Sequence, residues 1–130
     1  MGRVSDTSCP CRSGETYDAC CGPILAGDKP AATATRLMRS RYTAFAVGDR
    51  DYLVRSWHPQ MRPKKLTLDP DEEWFLLEVL AASKGSMFDT EGTVEFKAHY
   101  RLDGRRDVVH ENSRFVRYEG RWVYWGPSAS

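Results

Sequence analysis

Four cysteines lie close together near the start of the chain, and they are the only cysteines among its 130 residues. Thiolates are good ligands for soft or borderline metals, and zinc prefers four ligands in a tetrahedron. A turn at Ser13-Gly14, followed by a short helical turn over residues 17–19, would bring the second pair of cysteines onto the first. The spacing C-x-C-x8-C-C therefore predicts one metal ion, expected to be zinc, held by Cys9, Cys11, Cys20 and Cys21.

A disulfide framework and a redox switch are the alternatives to a metal site. Cys20 and Cys21 are adjacent and cannot readily bridge each other with normal disulfide geometry, although cross-pairing with Cys9 and Cys11 is open. Residues 1–8 contain no apolar core of the kind that a signal peptide needs. In a cytosolic chain, clustered cysteines indicate a metal or redox site more often than disulfides. A metal held by four thiolates has no open position for water, which favours a structural role.

Composition indicates a cytoplasmic protein without membrane association, since no apolar run is long enough to cross a bilayer. The net charge of +1 points to no polyanionic partner, but the charge is uneven along the chain. Residues 36–65 hold eight Lys and Arg against two acids, whereas residues 66–95 hold eight acids against one lysine. Either the two segments pair on the surface, or the first is a basic patch for an acidic partner such as RNA.

Two helices are predicted in the basic segment. Thr33 or Thr35 can cap a helix that runs to residue 47 and stops at Gly48, and Asp49 can begin a second, shorter helix that His58-Pro59 ends. Arg41 falls inside the apolar stripe of the first helix. Its head group either reaches water at the rim or points into a pocket.

The second half of the chain reads mostly as strands. Residues 69–85 carry local helix signals, which are an Asp cap, a Pro at the first position, an acidic first turn and a final Lys and Gly. Beyond them, apolar residues alternate over 94–100, Asp103-Gly104 predicts a hairpin turn, and strands follow over 107–118 and 121–125. Helices followed by a run of antiparallel strands indicate an α+β fold.

Several polar side chains are candidates for an interior site. If Phe115 packs inward, Glu111 and Ser113 point the same way, because side chains alternate along a strand. Glu111 would then either form a buried ion pair with Arg41 or help to line a pocket. That pocket would bind a polar ligand, or use Glu111 or His58 as an acid–base group, although no complete catalytic set is evident. The candidate pocket residues are Arg41, Tyr42, Trp57, His58, Glu111 and Ser113.

The segment Cys9–Gly22 reads C-P-C-x-S-G-x-x-Y-x-x-C-C-G and resembles the SEC-C motif, a small zinc-binding element of bacterial proteins. One position of that motif holds either Cys or His, and here it is Cys21. The segments LMRSRYTAFAVGDRDYL, SWHP, GTVEFKAHYR, HENSRFVR and GRWVYW resemble the YchJ family of uncharacterised bacterial proteins. Other members can carry a second cysteine motif at the C-terminus, which this sequence lacks.

The resemblance implies a nuclear-transport-factor-2-like cone, in which a bent antiparallel sheet wraps the helices and often leaves an apolar pocket. From the residues themselves, 1–8 are expected to be a flexible start and 23–30 a short linker with turn residues. The zinc knuckle and linker are therefore predicted over residues 1–30, and the cone domain over 31–130. The resemblance also implies a strand rather than a helix over residues 74–83.

SEC-C elements elsewhere bind partners, so the resemblance implies an adaptor that recruits a protein or ribonucleoprotein. The alternatives are a cone-fold enzyme or ligand-binding protein, and a factor that binds RNA weakly. Open sheet faces of this fold often pair, so a homodimer is one expected assembly. The knuckle and the cone are predicted to unfold separately.

Overall fold

The computed structural model describes residues 8–128, and these form three α-helices and one antiparallel sheet of four strands. The strands pair in chain order, β1-β2-β3-β4, and helix α2 packs against β1, β2 and β4. This arrangement confirms the predicted α+β cone. The elements are a 3₁₀ turn at Tyr17–Ala19, α1 at Cys21–Ala26, α2 at Ala34–Val47, α3 at Arg50–Arg55, β1 at Glu73–Lys84, β2 at Glu91–Leu102, β3 at Arg105–Tyr118 and β4 at Arg121–Pro127.

Helix α2 has the ends that its sequence predicts. The Thr33 hydroxyl accepts a hydrogen bond from the backbone N–H of Arg36 at 3.1 Å, which satisfies one of the unpaired donors of the first turn. Gly48 ends the helix in the left-handed region. Asp49 then caps α3 by accepting from the N–H of Tyr52 at 3.0 Å. The two helices therefore lie close together, with their apolar sides toward the sheet.

The end of α3 is attached to the last strand of the sheet. The backbone N–H of His58 donates to the carbonyl of Tyr124 at 2.9 Å, and the N–H of Tyr124 donates to the carbonyl of Ser56 at 2.8 Å. Trp57 and Tyr124 thus form a parallel bridge. This bridge fixes the position of Trp57 relative to the sheet.

Residues 73–84 form a strand in spite of their local helix signals. Strand β1 pairs with β2 over its whole length, from Glu73 opposite Arg101 to Lys84 opposite Gly92. This pairing outweighs the intrinsic helix preference, which is a weak effect by comparison with tertiary structure. The cap signals serve a turn before the strand, where the Asp69 carboxylate accepts from the N–H of Asp71 at 2.9 Å. The strand implied by the family resemblance is confirmed.

The predicted linker over residues 23–30 needs a correction, because helix α1 occupies its first part. Ile24 and Leu25 are buried in the same hydrophobic cluster as the cysteines, and this burial explains why the short segment is ordered as a helix. Pro23 lies in the first turn, where a missing N–H costs no helical hydrogen bond. The predicted flexible start lies outside the described residues, apart from Ser8. The division of the chain at residue 30 stays a prediction.

Candidate metal centre and interior cavity

The structure brings the four cysteine side chains to one point. Their sulfur atoms all lie within 4.8 Å of one another, and the four residues are at most 2% exposed. A tetrahedron with metal–sulfur bonds of about 2.3 Å has sulfur atoms about 3.8 Å apart. The Cys11–Cys20 and Cys20–Cys21 sulfur distances are 3.5 and 3.9 Å. The donor set therefore fits a tetrahedral, thiophilic metal ion bound by Cys9, Cys11, Cys20 and Cys21.

A tight loop folds the first pair of cysteines back onto the second. The N–H of Cys9 donates to the carbonyl of Glu15 at 2.8 Å, and Thr16 caps the following 3₁₀ turn. Gly22 closes the motif where space is lacking, since a Cβ there would lie 2.8 Å from the carbonyl oxygen of Tyr17. The predicted turns at 13–14 and 17–19 are both present. The last glycine of the motif thus has a packing reason.

Hydrogen bonding among the cysteine side chains shifts their pKa values in different directions. The Cys21 thiol, followed by the Cys9 thiol, lowers the pKa of Cys11 far below its ordinary value by hydrogen bonding to its sulfur. The same bonds to Cys11 are the main cause that raises the pKa of Cys21 and of Cys9. A metal ion binds cysteines as thiolates, so thiols whose pKa is raised must release their protons when it binds. Metal affinity should consequently fall in acid.

Helix α2 supplies the positive groups that surround the cysteines. Arg36 donates to the Cys20 sulfur at 2.9 Å, and Arg39 donates to the Cys11 carbonyl at 2.6 Å. Burial alone would lower the pKa of Arg36, but its interactions with Cys20, and then with Cys21 and Cys11, together outweigh the effect of burial, so the pKa is raised. Charged partners of this kind stabilise thiolate ligands and fix their orientation. No sequence pattern indicated these contacts beyond the basic character of the segment.

Most basic residues of this segment form hydrogen bonds within the molecule. Of its eight basic residues, six arginines donate to backbone carbonyls or to the Cys20 sulfur. In the part of the chain that the structure describes, no ion pair joins this segment to the acidic one, so the predicted pairing of the two is wrong. RNA binding by this segment stays a prediction. The six are Arg36, Arg39, Arg41, Arg50, Arg55 and Arg62.

A second feature is a cavity of about 340 Å³ between α2 and the sheet. Its walls are largely apolar and aromatic, and they include Phe45, Trp74, Phe96 and Phe115. Five of the six predicted pocket residues line it, whereas His58 does not. The five are Arg41, Tyr42, Trp57, Glu111 and Ser113.

Arg41 brings a buried positive charge to this cavity. Its Nη1 donates to the Leu53 carbonyl at 2.9 Å and to the Ser56 hydroxyl at 2.6 Å. The guanidinium carbon lies 5.0 Å from the centroid of the Trp57 ring and 4.7 Å from that of Tyr124. Burial lowers the pKa of Arg41 to about 10, so the group is still charged at neutral pH.

Glu111 is held by hydroxyl groups rather than by Arg41. Ser113 donates to its carboxylate, and Tyr124 donates to the same oxygen at 2.6 Å. Burial, and then this bond to Glu111, raises the pKa of Tyr124 above its ordinary value. Within residues 8–128 no ion pair links Arg41 and Glu111, so the predicted pair is wrong. Each group has found other partners, which the sequence could not show.

His58 lies on the other side of its segment. Its ring packs against Tyr118 and Trp125, with centroids 5.1 and 4.9 Å away, and its Nδ1 accepts from the N–H of Gln60 at 3.0 Å. Residues 57 and 58 run as an extended pair beside β4, so their side chains point in opposite directions. Because Trp57 faces the cavity, His58 faces away. The prediction that His58 lines the pocket is therefore wrong.

Comparison with known proteins gives the family. The profile of the YchJ middle NTF2-like domain matches residues 33–127, and that of the SEC-C motif matches residues 7–23. The chain belongs to the YchJ family. Its relatives include UPF0225 proteins of Streptomyces coelicolor, 51% identical over 89% of this chain and 90% of the relative, and of Chromobacterium violaceum, 50% identical over 90% and 89%.

Solved structures share the YchJ-type arrangement. The solution structure of a SEC-C motif containing protein from Rhodopseudomonas palustris has a TM-score of 0.81 at 38% identity, covering 95% of this chain and 99% of that one. A crystal structure of a SEC-C motif containing protein from Psychrobacter arcticus has a TM-score of 0.79 at 27% identity, covering 98% and 85%. Among the described helices of this YchJ-family chain, none has the length and apolar character needed to cross a membrane.

Proposed function

We propose that this protein binds a small ligand in the cavity of its cone domain, and that a structural zinc ion holds the knuckle on that domain. The observation that carries the proposal is a pair of unsatisfied polar atoms. Three buried side-chain polar atoms of the described residues lack a hydrogen-bond partner. One is the Arg62 Nε, and the other two, the Tyr42 hydroxyl and the Trp57 Nε1, belong to residues that line the cavity. Both atoms are covered by the protein, so a ligand with suitable polar groups would supply the missing partners after a small movement of these two side chains.

The energetics of buried polar groups support this proposal. Leaving a buried donor without a partner costs about 1–3 kcal/mol. Two such groups in the wall of one cavity, beside the buried charge of Arg41, cost folding free energy that purely apolar packing would avoid. The volume of about 340 Å³ lies within the range of small-molecule sites. The cavity is thus better suited to a bound ligand than to a solid core.

The proposed role of the cavity is ligand binding without catalysis. His58, one of the two candidate acid–base groups, lies outside the cavity. Glu111, the other, already accepts hydrogen bonds from two hydroxyls. The zinc ion would likewise be structural, because four buried thiolates complete its coordination and leave no site for a substrate.

Filling the cavity should abolish ligand binding. Ala98 is buried on β2 and lines the cavity, so Ala98→Leu would occupy part of its volume. In a thermal-shift screen of small apolar molecules, we expect ligands that raise the Tm of the natural protein to lose that effect in Ala98→Leu. The matched control is Ala82→Leu, at an exposed position of the neighbouring strand, which should respond like the natural protein. Equal responses of the two variants would contradict the proposal.

A partner recruited by the knuckle is a second candidate function, favoured by one observation. The loop over residues 12–16 and the positions Asp18 and Ala19 are exposed, although the cysteines around them are buried. A metal-locked loop would present this surface in a fixed shape to a protein or ribonucleoprotein. We expect Asp18→Arg to remove partners in affinity capture from cell extract, while the exposed control Asp28→Arg keeps them. If both variants retain the same partners, the adaptor role is wrong.

A further inference from the structure

The polar groups that face the cavity are mainly hydrogen-bond donors. A guanidinium carries five N–H groups. Nothing between Ser8 and Ser128 pairs with Nε or Nη2 of Arg41, since its hydrogen bonds to Leu53 and Ser56 both use Nη1. The Trp57 Nε1–H and the Tyr42 hydroxyl add two more unpaired groups. Three side chains of the wall therefore each have at least one polar atom without a hydrogen-bond partner.

The acceptors of the wall are fewer and already partly used. Of the described residues that line the cavity, two are acids, Glu72 and Glu111. Two hydroxyls donate to one oxygen of Glu111, which reduces what this carboxylate can offer a ligand. The remaining wall is mostly apolar or aromatic. The unpaired groups thus call for an acceptor-rich head group on an apolar body.

We infer that the ligand is a small apolar carboxylate whose head group is bound by Arg41, with Trp57 and Tyr42 as further donors; this inference rests on the proposed function. A carboxylate offers two oxygens and a full negative charge, and its hydrogen bonds to a guanidinium are about twice as strong as neutral ones. Arg41 is already removed from water, so the protein has met its part of the desolvation cost before the ligand binds.

Three probes with the same apolar body test this inference at pH 7: 3-phenylpropanoate, 3-phenylpropanamide and propylbenzene. They differ in charge and in acceptor atoms but share one phenylpropyl frame. We expect the acid to bind at least about tenfold more tightly than the amide, and the amide more tightly than the hydrocarbon. Binding is measured from amide chemical shifts in NMR titrations, which also show whether cavity residues such as Ala98 respond.

Arg41→Met keeps an apolar stem and removes the charge. The variant should therefore bind the acid and the amide about equally, and it should still bind propylbenzene. Tyr42→Phe removes only a hydroxyl and should reduce the preference partially, which covers the case in which Arg41→Met does not fold. If all three probes bind the natural protein equally, the ligand class is wrong while the cavity remains a binding site. If none binds and the screen with Ala98→Leu also finds no ligand, the proposed function itself fails.

Discussion

Removal of the metal is expected to destabilise the whole chain, with a fall in Tm of about 10–20 °C. The four cysteines belong to the same buried cluster as Leu37, Val94 and Phe115, so the knuckle is part of the core of the cone. Helix α2 donates to it through Arg36 and Arg39. Loss of a structural metal costs more than about 4 kcal/mol, and each kcal/mol is worth roughly 3–5 °C for a chain of this size.

This expectation replaces the separate unfolding that the sequence predicted. Calorimetry with and without a strong chelator gives the Tm, and the same chelator loaded with zinc is the control. The double variant Cys20→Ser plus Cys21→Ser should have the low Tm of the chelator-treated natural protein, and the chelator should not change that Tm. Amide NMR then locates the change. If chelation removes the signals of residues 9–21 and leaves those of residues 94–100 in place, the two parts are independent and the expectation fails.

The cysteine cluster that could hold a metal was predictable because its information is local. All four cysteines and the two turns between them lie in one short segment, and the spacing alone restricts the geometry. The contacts of Arg36 and Arg39 were not predictable, because they depend on how α2 lies against the knuckle. A segment rich in arginine is usually interpreted as surface charge. Here most of that charge binds carbonyls and a sulfur across the fold.

The secondary structure was predictable where pattern and caps agree, as in α2, and not where they conflict with long-range pairing. The residues just before β1 form a cap, a proline and an acidic turn in the order of a helix start. Pairing with β2 decided the conformation of β1, and only the family resemblance indicated this. Helix α1 was missed because it is short and contains Pro23, and its order comes from the burial of Ile24 and Leu25.

The cavity was predictable to the extent that it follows from strand alternation. Glu111, Ser113 and Phe115 share a face of β3, and all three line the cavity. The choice of hydrogen-bond partner was not predictable. Arg41 binds Leu53 and Ser56 because α3 lies beside α2, a contact that no local pattern encodes.

A close backbone contact at the β1–β2 hairpin leads to the second large prediction. Gly85 and Gly92 face each other across the hairpin, and a Cβ on Gly92 would lie 2.5 Å from the Gly85 Cα. The Gly85 carbonyl in turn accepts from the N–H of Ala34, the first residue of α2, at 2.9 Å. The hairpin therefore packs directly on the start of the helix that supplies Arg36 and Arg41. A side chain between the two glycines would have to displace backbone.

Gly92→Ala is therefore expected to lower the free energy of unfolding by about 3 kcal/mol, at the upper end of overpacking costs, because backbone atoms cannot yield as a flexible side chain can. Gly92 does not have a positive φ, so the cost is steric. The control is Gly104→Ala, where φ is +77° and no described atom lies within 4 Å of the added Cβ. It should cost about 1–2 kcal/mol, from backbone conformation alone. Urea unfolding of both variants measures the difference, and a cost for Gly92→Ala no greater than that for Gly104→Ala would show that the backbone contact between Gly85 and Gly92 is not tight.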